Sequence, residues 1–213
     1  MDIVKFKHLP ILGILRGGDV DTVEPLVETV VAAGLETIEI TMNTPQAPEM
    51  LRRMVKAAAG RLTVGAGTVI TRERFDAAVQ AGASFIVLPT LVEDVVAQCR
   101  HRNIPVFPGA FTPQEIHNAW LAGAAMVKVF PARALGPAYF QEVHGPFEEI
   151  ELLACGGVSA DNLASYLASG ASAVAFGANV FRTEWLAGRD FDRIGDAVAA
   201  FVHAFRSTKQ HRA

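Results

Sequence analysis

Two cysteines in 213 residues, Cys99 and Cys155, are too few and too far apart for a disulfide framework. Both sit in apolar stretches, which points to a reducing, cytoplasmic setting. No run of lysines or arginines builds a basic face, and 19 Lys and Arg against 22 Asp and Glu leave a net charge of −3. Nucleic acid and anionic membrane are therefore not expected partners. No apolar run is long enough to cross a bilayer. The segment "LPILGIL" (9–15) is short and lacks a small-residue cleavage site, so no signal peptide is expected. The six histidines show no pair at i, i+4 and no H-E-x-x-H, which leaves metal-assisted hydrolysis without ligands. No linker or low-complexity segment divides the chain. One domain over 1–213 is expected, with a polar tail, "STKQHRA", from about 207.

What is abundant is apolar residue, 51% of the chain, and it is organised. A phrase recurs as "AAGLETIEI", "QAGASFIVLP", "LAGAAMVKVF" and "ASGASAVAFG", each running from a helix end through glycine into an apolar strand. The glycines are Gly34, Gly82, Gly123 and Gly170, spaced 48, 41 and 47 residues apart. Glycine just past a helix suits a left-handed cap and a short connection to the next strand. Between these phrases lie "ILGIL" (11–15), "TVGAG" (63–67), "PVFPG" (105–109) and "ELLAC" (151–155), giving eight candidate strands. The intervening segments carry helical spacing, as in Val23, Leu26, Val27 and Val30, or open on capping residues such as Thr71, Thr112 and Ser159. Strand and helix alternating eight times imply parallel strands with right-handed crossovers. The predicted fold is α/β, a compact (β/α)8 TIM barrel. An open doubly wound sheet is the alternative, but no G-x-G-x-x-G follows the first strand.

Active sites of parallel barrels lie at the C-terminal ends of the strands. Arg16 ends "ILGILR", Glu39 lies in "TIEITMN", Thr68 ends "VGAGT", and Lys128 is the centre of "MVKVF". Strand alternation puts Glu39 and Thr41 on one face, and Met126, Lys128 and Phe130 on another. A bland reading exists for each: Glu39 and Lys128 as a buried ion pair, Arg16 as a solvated loop residue, Thr68 as a cap. Buried pairs are weak stabilisers, however, and an acid, a base and an arginine at corresponding strand ends form a constellation. A neutral amine in apolar surroundings attacks a ketone to give a Schiff base, whose nitrogen withdraws electrons from the adjacent carbons. Arginine matches a carboxylate bidentately. Later in the chain, Gly156 and Gly157 end the seventh strand, while Gly177 and Ala178 end the eighth. Phosphate commonly binds there in such barrels.

These residues resemble the class I aldolases of 2-keto-3-deoxy-6-phosphogluconate and 2-keto-3-deoxy-6-phosphogalactonate. "ILRG", "IEITMNTP", "GAGTV", "VKVFPA", "GP-Y" within "LGPAYF" and "GGVSADNL" match in order, from about Leu9 to Phe205. The resemblance implies a homotrimeric, cofactor-free lyase acting on a small sugar acid. It also implies that Lys128 forms the Schiff base and that Glu39 moves protons through a bound water. By the same resemblance, Thr68 and Pro89 line the pyruvate pocket, Arg16 holds the carboxylate, and Gly156, Gly157 and Gly177 hold phosphate. Asn43 stands where the gluconate branch has arginine, which points to the galactonate branch. The family has serine where Ala178 stands, so one phosphate hydrogen bond is missing and backbone donors remain. Cys155 replaces the usual threonine or valine, where substrate stereochemistry could be sensed. The expected reaction is cleavage to pyruvate and glyceraldehyde 3-phosphate. The rivals are an aldolase for an unphosphorylated acid, a phosphate-binding barrel of another activity, and a non-catalytic sugar-acid binding barrel.

Overall fold

The computed structural model describes residues 1–210. Its strands are β1 (Ile11–Leu15), β2 (Thr37–Thr41), β3 (Thr63–Gly67), β4 (Ile86–Val87), β5 (Val106–Phe107), β6 (Gly109–Ala110), β7 (Val127–Val129), β8 (Leu152–Cys155) and β9 (Ala173–Phe176). All pair in parallel, in the order β5-β4-β3-β2-β1-β9-β8-β7-β6. The two ends of that order are successive pieces of one stretch, so the expected (β/α)8 barrel is the observed fold.

The stretch "PVFPG", expected to be one strand, is two. Pro108 has no N–H to give to a ladder, and its neighbours' carbonyls face opposite ways. Pro105 and Phe107 accept from Ile86 and Leu88, both at 3.0 Å, while Val106 and Pro108 accept from Ala125 and Lys128, both at 2.9 Å. The break thus joins β4 to β7 and closes the barrel. A Cβ on Gly109 would stand 2.1 Å from the Pro89 carbonyl oxygen, so only glycine permits the two segments to meet there.

The recurring glycines behave as expected. Gly34, Gly82, Gly123 and Gly170 all have positive φ, between 85° and 103°, and each leads into a strand. Thr71 caps its helix by accepting the Arg74 N–H, and Thr112 forms a capping box with Glu115. Ser159 does not cap. Its helix starts later, at Leu163, and the Asn162 side chain instead accepts the Ser159 N–H at 2.8 Å.

Inward-facing side chains fill the barrel: Leu12, Phe85, Phe107, Met126 and Leu153 are all buried. A short helix, Ile3–Phe6, closes the bottom, with Asp2 as its N-cap and the Phe6 ring 6.1 Å from that of Phe107. Outside, the helices pack on the other face of the strands. The last helix, Phe191–Gln210, continues past residue 207, so the expected polar tail is helical up to Gln210; His211, Arg212 and Ala213 lie outside the described residues. Among the described residues no helix is long and apolar enough to cross a membrane.

Candidate active site

Glu39 projects inward from β2, between Ile14 on β1 and Gly65 on β3. It is 1% exposed, and its Oε2 has no hydrogen-bond partner. Burial pushes its carboxyl up to about 7; the positive charges of Lys128 and Arg16 pull the other way without undoing it. A buried oxygen left unpaired is costly, and a bound water or a substrate hydroxyl would satisfy it. The space for this carboxyl is made by its neighbour on β3. A Cβ on Gly67 would lie 2.1 Å from Glu39 Oε1. Gly67→Ala is therefore expected to displace the carboxylate and reduce kcat by about 100-fold, at a stability cost of about 1–3 kcal/mol. Steady-state kinetics with thermal melts measures both, and unchanged kcat would mean that the carboxyl position is not critical.

Lys128 enters from β7, flanked by Gly109 on β6 and Leu153 on β8. It is buried, and Nζ stands 5.1 Å from the centroid of the Phe130 ring. No salt bridge joins it to Glu39 among the described residues, which removes the reading of a simple buried ion pair; they act on each other through space. Cys155, on β8, lies close enough to Lys128 to feel its charge. Burial pushes its thiol up, against the opposing pull of the lysine, so it is a packed neighbour of the amine and not a thiolate nucleophile.

Two cavities open beside this pair, sharing the Phe130 ring, and neither is lined by Lys128 or Glu39 themselves. The larger, about 540 Å³, is walled by Arg16, Phe130, Cys155, the pair Gly156 and Gly157, and the turn at Gly177 and Ala178. The smaller, about 240 Å³, includes Pro89, Gly109 and Phe111. Phe130 belongs to both walls. Six of the predicted residues (Arg16, Cys155, Gly156, Gly157, Gly177 and Ala178) thus line the larger cavity and Pro89 lines the smaller, while Lys128 lies beneath the Phe130 ring that the two cavities share. Thr68 and Asn43 line neither cavity. Thr68 directly follows β3 with φ at 57°, an uncommon conformation for a β-branched residue and one that tends to occur at functional sites. Its carbonyl accepts from Arg74, and Thr71 does the capping. Asn43 is exposed in the turn after β2.

Several contributors were not foreseen. Thr44, buried, accepts the Gly17 N–H at 3.0 Å and lies 3.1 Å from the Thr41 hydroxyl, pinning the loop that follows Arg16. The pair Thr41 and Thr44 within "TMNT" was the available signal. Asn179 links the two glycine turns, accepting the Gly177 N–H at 3.3 Å and donating to the Val158 carbonyl at 3.0 Å. Arg133 and Ser159 also line the larger cavity.

Residues 3–197 match the family model described as "KDPG and KHG aldolase". The 2-dehydro-3-deoxy-6-phosphogalactonate aldolase of Escherichia coli (strain K12) is 34% identical over 95% of this chain and 97% of its own length. A solved structure described as "Native KDPGal structure" superposes with a TM-score of 0.89 at 33% identity, over 94% of this chain and 96% of that one. A KDPG aldolase structure from Legionella pneumophila, with pyruvate captured as a covalent carbinolamine intermediate, gives a TM-score of 0.84 at 26% identity, over 90% of this chain and 93% of that one.

Proposed function

Since the chain belongs to the KDPG and KHG aldolase family, we propose that it cleaves 2-keto-3-deoxy-6-phosphogalactonate, or the gluconate epimer, to pyruvate and glyceraldehyde 3-phosphate. It is an aldolase, a carbon–carbon lyase of the Schiff-base class. The observation that carries the reading is the buried couple of Lys128 and Glu39 at the mouth of the barrel, joined by no salt bridge, with one Glu39 oxygen unsatisfied and its carboxyl pushed up to about 7. A group titrating there both takes and gives a proton near neutral pH.

In this reading Lys128 Nζ attacks the C2 ketone, and loss of water from the carbinolamine leaves the iminium. Glu39, directly or through a water, takes the C4 hydroxyl proton as the C3–C4 bond breaks. The electron pair of that bond moves into the iminium, giving an enamine and the free aldehyde. Glu39 returns a proton to C3, and water hydrolyses the new iminium to pyruvate and free lysine. Arg16 holds the substrate carboxylate, and Thr68 and Pro89 bound the pyruvate unit. Asn43 and Cys155 lie towards C4, and the turns at Gly156, Gly157, Gly177 and Ala178 receive the phosphate. Borohydride treatment in the presence of pyruvate, followed by peptide mapping, is expected to leave a reduced pyruvate adduct on Lys128. Folded protein yielding no adduct across several pH values would sink the covalent route.

A second reading, an aldolase for the unphosphorylated acid, draws on Ala178, which has no hydroxyl, and on Gly177, whose N–H is already engaged by Asn179. Rates with and without the 6-phosphate separate the two. The proposal includes a single-domain homotrimer in the cytoplasm. Ile70 and Phe111, both following strand ends, are 41% and 38% exposed, and such side chains favour an interface. Sedimentation velocity should give about three chain masses; a monomer at micromolar concentration would remove the trimer.

A further inference from the structure

The larger cavity has an uneven charge. Its wall carries two guanidinium groups, Arg16 and Arg133, and no aspartate or glutamate. Among the described residues neither arginine makes a salt bridge, although ten ion pairs engage the arginines and lysines elsewhere. Arg16 sits just past β1, and its charge is felt by Glu39 and Cys155, so it serves the end of the wall nearest that pair. Arg133 sits elsewhere. It lies five residues past Lys128, and its N–H donates to the Gly156 carbonyl at 2.9 Å. Its stem lies across Gly157, where an added Cβ would be 2.5 Å from Arg133 Cβ and 2.9 Å from Cδ. A substrate with one anionic end needs one of these cations; a substrate with two needs both.

Two donors of the turns around that second cation are already engaged. The Gly177 N–H is engaged by Asn179 and the Ser159 N–H by Asn162, while Ala178 has no side-chain donor. A guanidinium beside these turns offers an anion a charged partner in addition to the backbone donors. We propose that Arg133 is the specificity-determining residue of the distal end, binding the phosphate of the aldehyde half. This rests on the aldolase reading above and deepens it. It also decides between phosphorylated and unphosphorylated substrate in favour of the former, because an otherwise unpaired guanidinium in a cavity wall without acids supplies charge-assisted bonds to a phosphate.

The test uses the whole protein in the condensation direction, with pyruvate and either glyceraldehyde 3-phosphate or glyceraldehyde. The native protein is expected to prefer the phosphorylated aldehyde in kcat/KM. In Arg133→Gln that preference should fall about 10- to 100-fold, the usual worth of hydrogen bonds to a charged group, mostly through KM. Arg133→Lys should restore part of it, which a merely structural role would not do. A native protein without the preference, or an Arg133→Gln variant that keeps it, overturns the assignment. Pyruvate trapping on the native protein keeps the two levels apart: an adduct on Lys128 with the preference unmoved removes only the role of Arg133, whereas no adduct removes the aldolase chemistry itself.

Discussion

Replacing Lys128 by methionine is expected to abolish turnover, with a loss on the order of 10⁵-fold, because in the proposed mechanism its amine forms the iminium that takes up the electrons of the broken bond. Methionine approximates the length of the lysine stem and suits the interior face of the barrel, where Met126 and Leu153 are its buried apolar neighbours. The fold should survive, since exchanging a buried ammonium for an apolar side chain of similar volume is often neutral or stabilising. A second, independent effect is expected on Glu39. The charge of Lys128 is the largest influence holding that carboxyl down, so its removal should raise the Glu39 midpoint further above about 7. Carboxyl infrared titration or carbon NMR of labelled Glu39 reads this directly. A variant that keeps more than about 1% of the parent turnover would be incompatible with a covalent mechanism at this lysine. An unmoved Glu39 midpoint would show that the two side chains are electrostatically independent.

The barrel was legible because its signal is repeated: at four helix ends a glycine, then an apolar strand, recurs at nearly constant spacing, with one further strand between successive phrases. Lys128 and Glu39 were legible for the opposite reason, as isolated charges in strands whose other residues are apolar. What could not be read are relations between distant segments. The closing of the barrel depends on how Pro105, Val106, Phe107 and Pro108 divide their carbonyls between β4 and β7, and nothing local in "PVFPG" specifies that division. The seat of Glu39 depends on the missing side chain of Gly67 on the adjacent strand. Arg133 is a surface-like arginine in sequence. It becomes notable only when folding lays it across Gly157 at the wall of a cavity without acids. The short helix under the barrel was missed because Ile3–Phe6 is too brief to show a period.

Glu39→Gln is expected to separate catalysis from stability. Losing the proton carrier should lower kcat by about 10²- to 10⁴-fold, while pyruvate trapping persists because the amine is untouched. The stability effect follows from linkage. The Glu39 carboxyl moves from 4.5 in the unfolded chain to about 7 in the folded one, chiefly through desolvation. A raised carboxyl favours folding while it is protonated, so the parent loses stability as pH climbs from about 4.5 through about 7. Glutamine stays neutral and escapes that loss. Whatever its own hydrogen bonds cost, the cost is the same at every pH. The melting curves of variant and parent should therefore diverge in favour of the variant by about 3 kcal/mol between pH 4 and pH 8, since each tenfold change in proton affinity is worth about 1.4 kcal/mol. For a chain of this size that is about 6–12 °C in Tm. Parallel curves across this range would mean that Glu39 is solvated in the folded protein, and its place as a proton carrier poised at neutral pH would fall with them. Divergence would mean that the enzyme holds a destabilising charge at the mouth of its barrel at working pH, and that only the chemistry at Lys128 accounts for its being there.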